Sequence, residues 1–434
     1  FFSAMTWNSN ALFRTLATVC LLLVGVVVLW CLDKRPHQQQ WSGFLTKRSH
    51  REDWSTCPHS DPLPTSGKKV LVTGAAGFIG SHVARSAAEL GLQVVAVDDM
   101  SGGFWENVPA HPNVHFFKGD CKDAAFVEKV FTRHGPFEYV YHLAAYAAEG
   151  LSHFIPSYNY RNNLVASVEI LNFAIKHKVK CFVFTSSIAV YGSVPDDMRE
   201  DVIPTPEDPY GVSKFAMELH LKSAHEMHAM DYVIFRPHNV YGPNQNIADK
   251  YRNVVGIFMN EIIHGKPLTI FGDGSQTRSF SYVDDVAPII AKAPLLPHAR
   301  NQIFNVGADD SYSLNDLAQS VSHAMQVQPN IVHLDARKEV VHSTVSNAKV
   351  RCFFGLSGYT ALQDGLNKTA VWVKSIGRHY LPVEFSHVEI IQNMPPSWVR
   401  ADLGQASAIV HDSSDNPRAG EFERQRFGDG VPEP

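Results

Sequence analysis

Tyr210 and Lys214 stand four residues apart in Tyr-Gly-Val-Ser-Lys, a spacing that puts both side chains on one face of a helix. An ammonium beside a phenol, together with any second positive charge brought close to it, favours phenolate. It brings a group of ordinary pKa about 10 toward neutrality, as a general base requires. Upstream, Val183-Phe-Thr-Ser186-Ser187 ends an apolar strand, and the C-terminal ends of strands are where open α/β sheets place their crevices. Ser187 is therefore the candidate to hydrogen-bond a reacting hydroxyl. Each feature alone also has a plain structural reading, a helical pair for the first and a helix cap for the serines.

The element that must feed this chemistry is Val70-Leu-Val-Thr-Gly74-Ala-Ala-Gly77-Phe78-Ile79-Gly80, a strand running into three glycines and then a helix expected over Phe78–Leu90. Gly74 suits the tight turn, Gly77 the approach of backbone N–H groups to a pyrophosphate, and Gly80 the close contact of helix and sheet. A second strand ends in Asp98, about 20 residues on, where a carboxylate accepts from both ribose hydroxyls of NAD and would repel the 2′-phosphate of NADP. Strand-like runs at Lys69–Thr73, Gln93–Val97, Val114–Lys118, Tyr139–His142, Lys180–Thr185 and Tyr232–Phe235 alternate with helical segments. That alternation predicts an α/β fold with a doubly wound parallel sheet of the Rossmann type. The expected limits are 68–244 for the NAD-binding domain and 245–380 for a smaller C-terminal substrate-binding lobe. Residues 381–434, rich in Asp, Ser, Gly, Pro and Arg, are expected to be a disordered tail.

Ahead of the domain, Thr15–Leu32 carries no charge and is long enough for a transmembrane anchor. The competing reading, a cleaved secretory signal, is disfavoured by the length of the apolar part and the poor small-residue cleavage site at Cys31-Leu32-Asp33. Residues 1–14 form a short flank, with Met5 a candidate start, and 33–67 a stalk. Lys34, Arg35, Lys47 and Arg48 outnumber Arg14, so the positive-inside rule places the large domain in the cytosol. Enzymes held by a single N-terminal helix in the Golgi or endoplasmic reticulum suggest the opposite side, and Asn367-Lys-Thr369 is an N-glycosylation pattern that reports sidedness.

With 38 Lys and Arg against 43 Asp and Glu, the net charge is −5, which leaves no basic footprint for nucleic acid. The six cysteines show no metal-ligand spacing, so neither a zinc site nor a disulfide framework is expected.

The order of motifs resembles the extended short-chain dehydrogenase/reductases, in their nucleotide-sugar epimerase/dehydratase branch, over about Lys69–Lys374. It is carried by TGAAGFIGSH at Thr73–His82, VDDM at Val97–Met100, GD at Gly119–Asp120 and HLAA at His142–Ala145. YNYRNN at Tyr158–Asn163, SSIAVYG at Ser186–Gly192 and YGVSK at Tyr210–Lys214 continue the series. RPHNVYGP at Arg236–Pro243 and FGDGSQTRSFSYVDD at Phe271–Asp285 complete it. The resemblance implies that Asp120 holds the adenine amino group and that Ala144 and Asn163 line the nicotinamide side. It implies that Asn239 and Arg278, with Arg337, grip a substrate diphosphate, and it leaves a homodimer open as the assembly.

Within that branch, 4,6-dehydratases place Asp-Glu directly after the catalytic hydroxyl, and UDP-glucuronate decarboxylases a glutamate where Ala189 stands. Ile188 and Ala189 offer neither helper, so the expected reaction is NAD-dependent 4-epimerisation of a UDP-sugar, UDP-glucose/UDP-galactose first. The loop Ala145–Gly150 lacks the lysine usual in galactose epimerases, Ala147 standing there, which keeps other sugars in view. Glu149 nearby would repel a uronate if it faces the pocket. The alternatives are a membrane-anchored 3β-hydroxysteroid dehydrogenase, a UDP-glucuronate-processing enzyme, and a non-enzymatic dinucleotide sensor.

Overall fold

The computed structural model describes residues 57–194, 197–336, 344–377 and 388–398. The expected anchor Thr15–Leu32, Arg337 and residues 399–434 lie outside the described residues. Among the described residues, no helix is long and apolar enough to cross a membrane.

All six expected strands form, as β1 (Lys69–Thr73), β2 (Gln93–Asp98), β3 (Val114–Lys118), β4 (Tyr139–His142), β5 (Cys181–Thr185) and β6 (Asp231–Pro237). The central strands β1, β4 and β5 are apolar without alternation in their interiors, as in Val70-Leu-Val and Phe182-Val-Phe, and are buried there, whereas the edge strand β3 exposes His115. Parallel strands covered by helices on both faces read this way. The covering helices are α1 (Phe78–Glu89), α2 (Ala124–His134), the short α3 (Glu149–Ser152) and α4 (Pro156–Tyr160), α5 (Ala166–Lys176) and α6 (Pro209–His228).

The second lobe begins with β7 (Val240–Tyr241), α7 (Val254–Ile263), β8 (Leu268–Phe271), β9 (Thr277–Ser279) and β10 (Ser281–Tyr282). The chain then returns to the first domain. Helix α8 (Ala287–Lys292) shares a buried cluster with α1, and β11 (Gln302–Val306) pairs in parallel with β6. The sheet therefore has seven strands in the order β11-β6-β5-β4-β1-β2-β3. It takes in residues beyond 244, where the weakening of the alternation suggested a separate lobe. A lone buried strand such as Gln-Ile-Phe-Asn-Val carries too little pattern to assign to a sheet by sequence. The chain goes on through β12 (Ser311–Ser313), α9 (Leu314–Met325), β13 (Ile331–Leu334), α10 (Ala348–Phe354) and α11 (Leu362–Ile376). Helices α7, α9 and α11 bury a core of their own around Phe258, Leu317 and Leu366.

Three expectations from the sequence are corrected here. Cys57 and Cys352 form a disulfide across 295 residues of sequence, a pairing that scattered cysteines do not announce. Residues 57–67 of the expected stalk lie along the body, where Leu63 N–H donates to Leu295 O at 2.7 Å and Ser60 Oγ lies 2.6 Å from His298 Nδ1. And residues 388–398 of the expected tail are packed: Met394 and Trp398 are buried with Leu151, Ile155 and Tyr251. A polar, aperiodic segment is held by a few anchors rather than by an amphipathic face, so periodicity misses it.

Candidate active site

Strand order reverses between β1 and β4, with β2 and β3 on one side and β5 and β6 on the other. Outside the carboxyl ends of strands at such a point is where open α/β sheets bind ligands. A cavity of about 1110 Å³ opens there, beyond the size needed for one small ligand.

The glycine turn forms its base. Gly74 has φ +71°, and a Cβ on it would meet Ala144 N at 2.7 Å. A Cβ on Gly80 would overlap the Gly74 carbonyl, so α1 could not start where it does. Gly77 N–H donates to Gly74 O at 3.1 Å. Phe78 and Ile79 open α1 on the cavity wall, with the helix N-terminus available to an anion.

Asp98 ends β2 in the cavity, buried. Its Oδ2 accepts from Ala76 N–H at 3.0 Å and its Oδ1 from Met100 N–H at 2.8 Å. Gly77 N–H also reaches this carboxylate, whose roughly four acceptor sites still leave room for a ribose hydroxyl. Burial raises this carboxyl to about 6, against the hydrogen bond from Met100 and with help from the Asp99 charge. Asp120 lines the same side, held by Lys122 through its N–H at 2.8 Å and Nζ at 2.9 Å.

Asp208 and Pro209 start α6: the Asp208 carboxylate accepts from Gly211 N–H at 2.9 Å and Pro209 occupies the first turn. This cap sets Tyr210 and Lys214 one turn apart facing the cavity. Lys214 Nζ donates to Thr185 O at 2.8 Å and lies 5.7 Å from the centre of the Tyr210 ring. Ser187 follows β5 and hydrogen-bonds Tyr210. It also caps the short helical turn Ile188–Val190 by accepting from Ala189 N–H, so the structural and chemical readings of this serine both hold. Ser186 is structural: it donates to Glu218 at 2.6 Å, which in turn holds Arg236 through two hydrogen bonds in a fully buried pair.

The expected electrostatics are corrected in one respect. Burial raises the Tyr210 phenol, the Ser187 hydrogen bond opposes it, and the Asp208 and Glu149 charges add to the rise. Burial also draws Lys214 down to about 7, opposed by Glu218 one turn on. Burial thus weakens the positive charge that Lys214 offers the phenol. Moving the phenol toward neutrality requires a further positive group at the site.

Of the other expected residues, Ala144, Asn239 and Arg278 line the cavity. Asn239 Nδ2 donates to Ser279 O and Arg278 Nη1 to Thr277 O. Asn163 does not line it. It is fully buried, its amide bridging the N–H and C=O of Tyr146 at 2.7 and 3.0 Å and reaching Asn159. Its role is to pin the loop Ala145–Gly150, and its neighbour Asn162 faces the cavity instead. Both sit in a π-helical turn, Arg161–Val165, and as consecutive helical residues their side chains leave the axis in different directions. Arg337 falls outside the described residues.

Sequence reasoning missed two parts of the wall. Arg252 pairs with Asp249 at 2.8 Å and lies over the Tyr146 ring at 4.8 Å. Gln392, Asn393, Pro395 and Trp398 come from the packed C-terminal segment. The i, i+3 spacing of Asp249 and Arg252 was a weak signal, and the C-terminal segment gave none.

Comparison with known proteins bears on this geometry. The sequence profile of the NAD dependent epimerase/dehydratase family matches residues 70–307. The chain is 32% identical over 314 residues to the UDP-glucose 4-epimerase of Mycolicibacterium smegmatis, 71% of this chain and 99% of that protein. Among solved structures, UDP-glucose 4-epimerase with UDP-glucose from Thermotoga maritima aligns with a TM-score of 0.67 at 32% identity, covering 71% of this chain and 99% of that one. UDP-glucose 4-epimerase of Thermus thermophilus in complex with NAD aligns with a TM-score of 0.64 at 31% identity, over 70% and 99%.

Proposed function

The chain belongs to the NAD-dependent epimerase/dehydratase family and takes NAD as its cofactor, and from that premise we propose that it interconverts the C4 epimers of a UDP-sugar, UDP-glucose and UDP-galactose first. The observation that carries this reading is the company of Ser187. Beside Ser187 and Tyr210 the cavity wall is Ile188 and Ala189, with no carboxylic acid directly after the hydroxyl to expel water. The carboxylates of Glu207, Asp208 and Glu261 nearby accept from the backbone N–H groups of Ser193, Gly211 and Thr269. Glu149 lines the same cavity and its charge reaches the Tyr210 phenol, which counts against a uronate substrate.

In this reading the backbone at Gly74, Gly77, Phe78, Ile79 and Gly80 holds the pyrophosphate of NAD, Asp98 its ribose and Asp120 its adenine. Bound there, NAD supplies the hydride acceptor and the positive charge the phenol lacks. Tyr210 takes the proton of the 4-hydroxyl, and Ser187 hydrogen-bonds the same oxygen as it becomes a ketone. Asn239 and Arg278, with Arg337, hold the diphosphate while the 4-keto sugar turns its other face. A sterol has no diphosphate for these groups to hold. The same reading anchors the chain in a Golgi or endoplasmic reticulum membrane through Thr15–Leu32, supported by eighteen residues without a charge.

The test is to incubate the protein with UDP-glucose, UDP-glucuronate and UDP-xylose and resolve the products. A 4-epimer of one of them with no net change of NAD supports the reading. A dehydrated or decarboxylated sugar overturns it.

A further inference from the structure

Two features of this chain take no part in the cavity. The first is the disulfide between Cys57 and Cys352, whose Cα atoms are 5.2 Å apart. It fastens the segment that enters the domain to α10, beside the docked residues Ser60 and Leu63. Disulfides of this structural kind form and persist in oxidising compartments, whereas the cytosol keeps thiols reduced. Among the described cysteines, Cys121 and Cys181 are buried inside the domain as free thiols.

The second feature is Asn367-Lys-Thr369, the only Asn-X-Ser/Thr pattern in the 434 residues. It lies on α11, which turns Leu366, Ala370 and Val373 into the second core. Asn367 is thereby on the exposed side, meeting Gln363 one turn earlier at 3.1 Å. One turn later on that side, Val371 is 71% exposed, an aliphatic group that a substituent on Asn367 would cover.

We propose that this domain matures in the lumen of the secretory pathway, with the Cys57–Cys352 bridge closed and an N-linked glycan on Asn367. In the first step the two thiols give up two protons and two electrons by exchange with the disulfide of an oxidoreductase, which leaves as a dithiol. In the second, the Asn367 amide nitrogen bonds to C1 of a lipid-linked oligosaccharide. The C1–oxygen bond to the lipid pyrophosphate breaks, and the amide gives up one proton. The Thr369 hydroxyl is buried in the folded helix, donating to Gly365 O at 2.7 Å, so transfer precedes the closing of α11, and folding then carries the glycan outward. This places the domain opposite to the side indicated by Lys34, Arg35, Lys47 and Arg48. Two chemical marks of one compartment outweigh a charge count that only biases insertion.

The experiment expresses the full chain in a eukaryotic cell and treats it with peptide N-glycosidase. The expected result is a one-glycan mobility shift that Asn367→Gln abolishes, with Cys57 and Cys352 modified by a maleimide only after reduction. Identical migration with and without the glycosidase overturns the proposal, as does alkylation of both cysteines without reduction. Neither readout depends on catalysis, so the proposal stands or falls apart from the epimerase reading.

Discussion

Three side chains and one carboxylate concentrate the chemistry at the scale of the residue. Tyr210→Phe removes the phenolic oxygen and keeps the packed ring, so turnover should fall at least about 100-fold while NAD stays bound. Single-turnover kinetics on NAD-loaded protein check it, and near-normal turnover would remove Tyr210 from the mechanism. Asp98 gives a pH test. Burial has raised its carboxyl to about 6 from an ordinary 3.8, so its ionisation works against the free fold. That contribution to stability is full below 3.8 and is lost as pH rises through about 6. Ribose hydroxyls donate to the carboxylate, so NAD binds the ionised form. NAD affinity should hold above pH 6 and decline below it, by at most about tenfold per unit from this group. Fluorescence titration at pH 5 and 7.5 measures it, and Asp98→Asn should flatten this part of the dependence. An unchanged slope in that variant assigns the proton elsewhere.

The elements around the cavity are uneven in how they are held. Helix α6 is fixed by the Asp208 cap at its start and by the buried Glu218–Arg236 pair behind Lys214. Losing one partner of such a pair strands a charge. The segment 388–398 is attached more lightly. The Glu389 carboxylate accepts from Ser157 and Tyr158 N–H at the start of α4. Trp398 packs edge-on against Tyr251 and Phe154, with its ring at the Gly150 backbone. Because that contact adjoins the loop pinned by Asn163, Trp398→Ala should weaken binding of the sugar more than of the nucleotide. We expect UDP-glucose affinity to fall about tenfold, near 1.4 kcal/mol, with UDP affinity within about twofold. Calorimetry with both ligands decides, and an equal loss for both places the wall on the nucleotide side.

Across the whole molecule, the site depends on the two lobes meeting, since the glycine turn and Tyr210 come from one and Arg278 on β9 from the other. Arg278→Ala should raise the KM for the sugar nucleotide at least about tenfold, the loss of a charge-assisted bond, and leave NAD affinity nearly unchanged. Parallel loss of NAD binding would show that the guanidinium faces the cofactor.

The glycine turn, the six strands and the Tyr210–Lys214 pair were legible in the sequence, because each is a local device. A turn needs its glycine, a doubly covered strand needs an apolar run, and a helix sets residues i and i+4 side by side whatever surrounds them. Only the tertiary structure decided the rest. It returned Gln302–Val306 to the sheet and joined Cys57 to Cys352. It turned Asn163 away from the cavity, brought Trp398 to its wall, and drew Lys214 down to about 7. Each of these outcomes depends on which distant groups become neighbours and how much water they exclude. Contact and burial belong to the folded chain, and no spacing along the sequence encodes them.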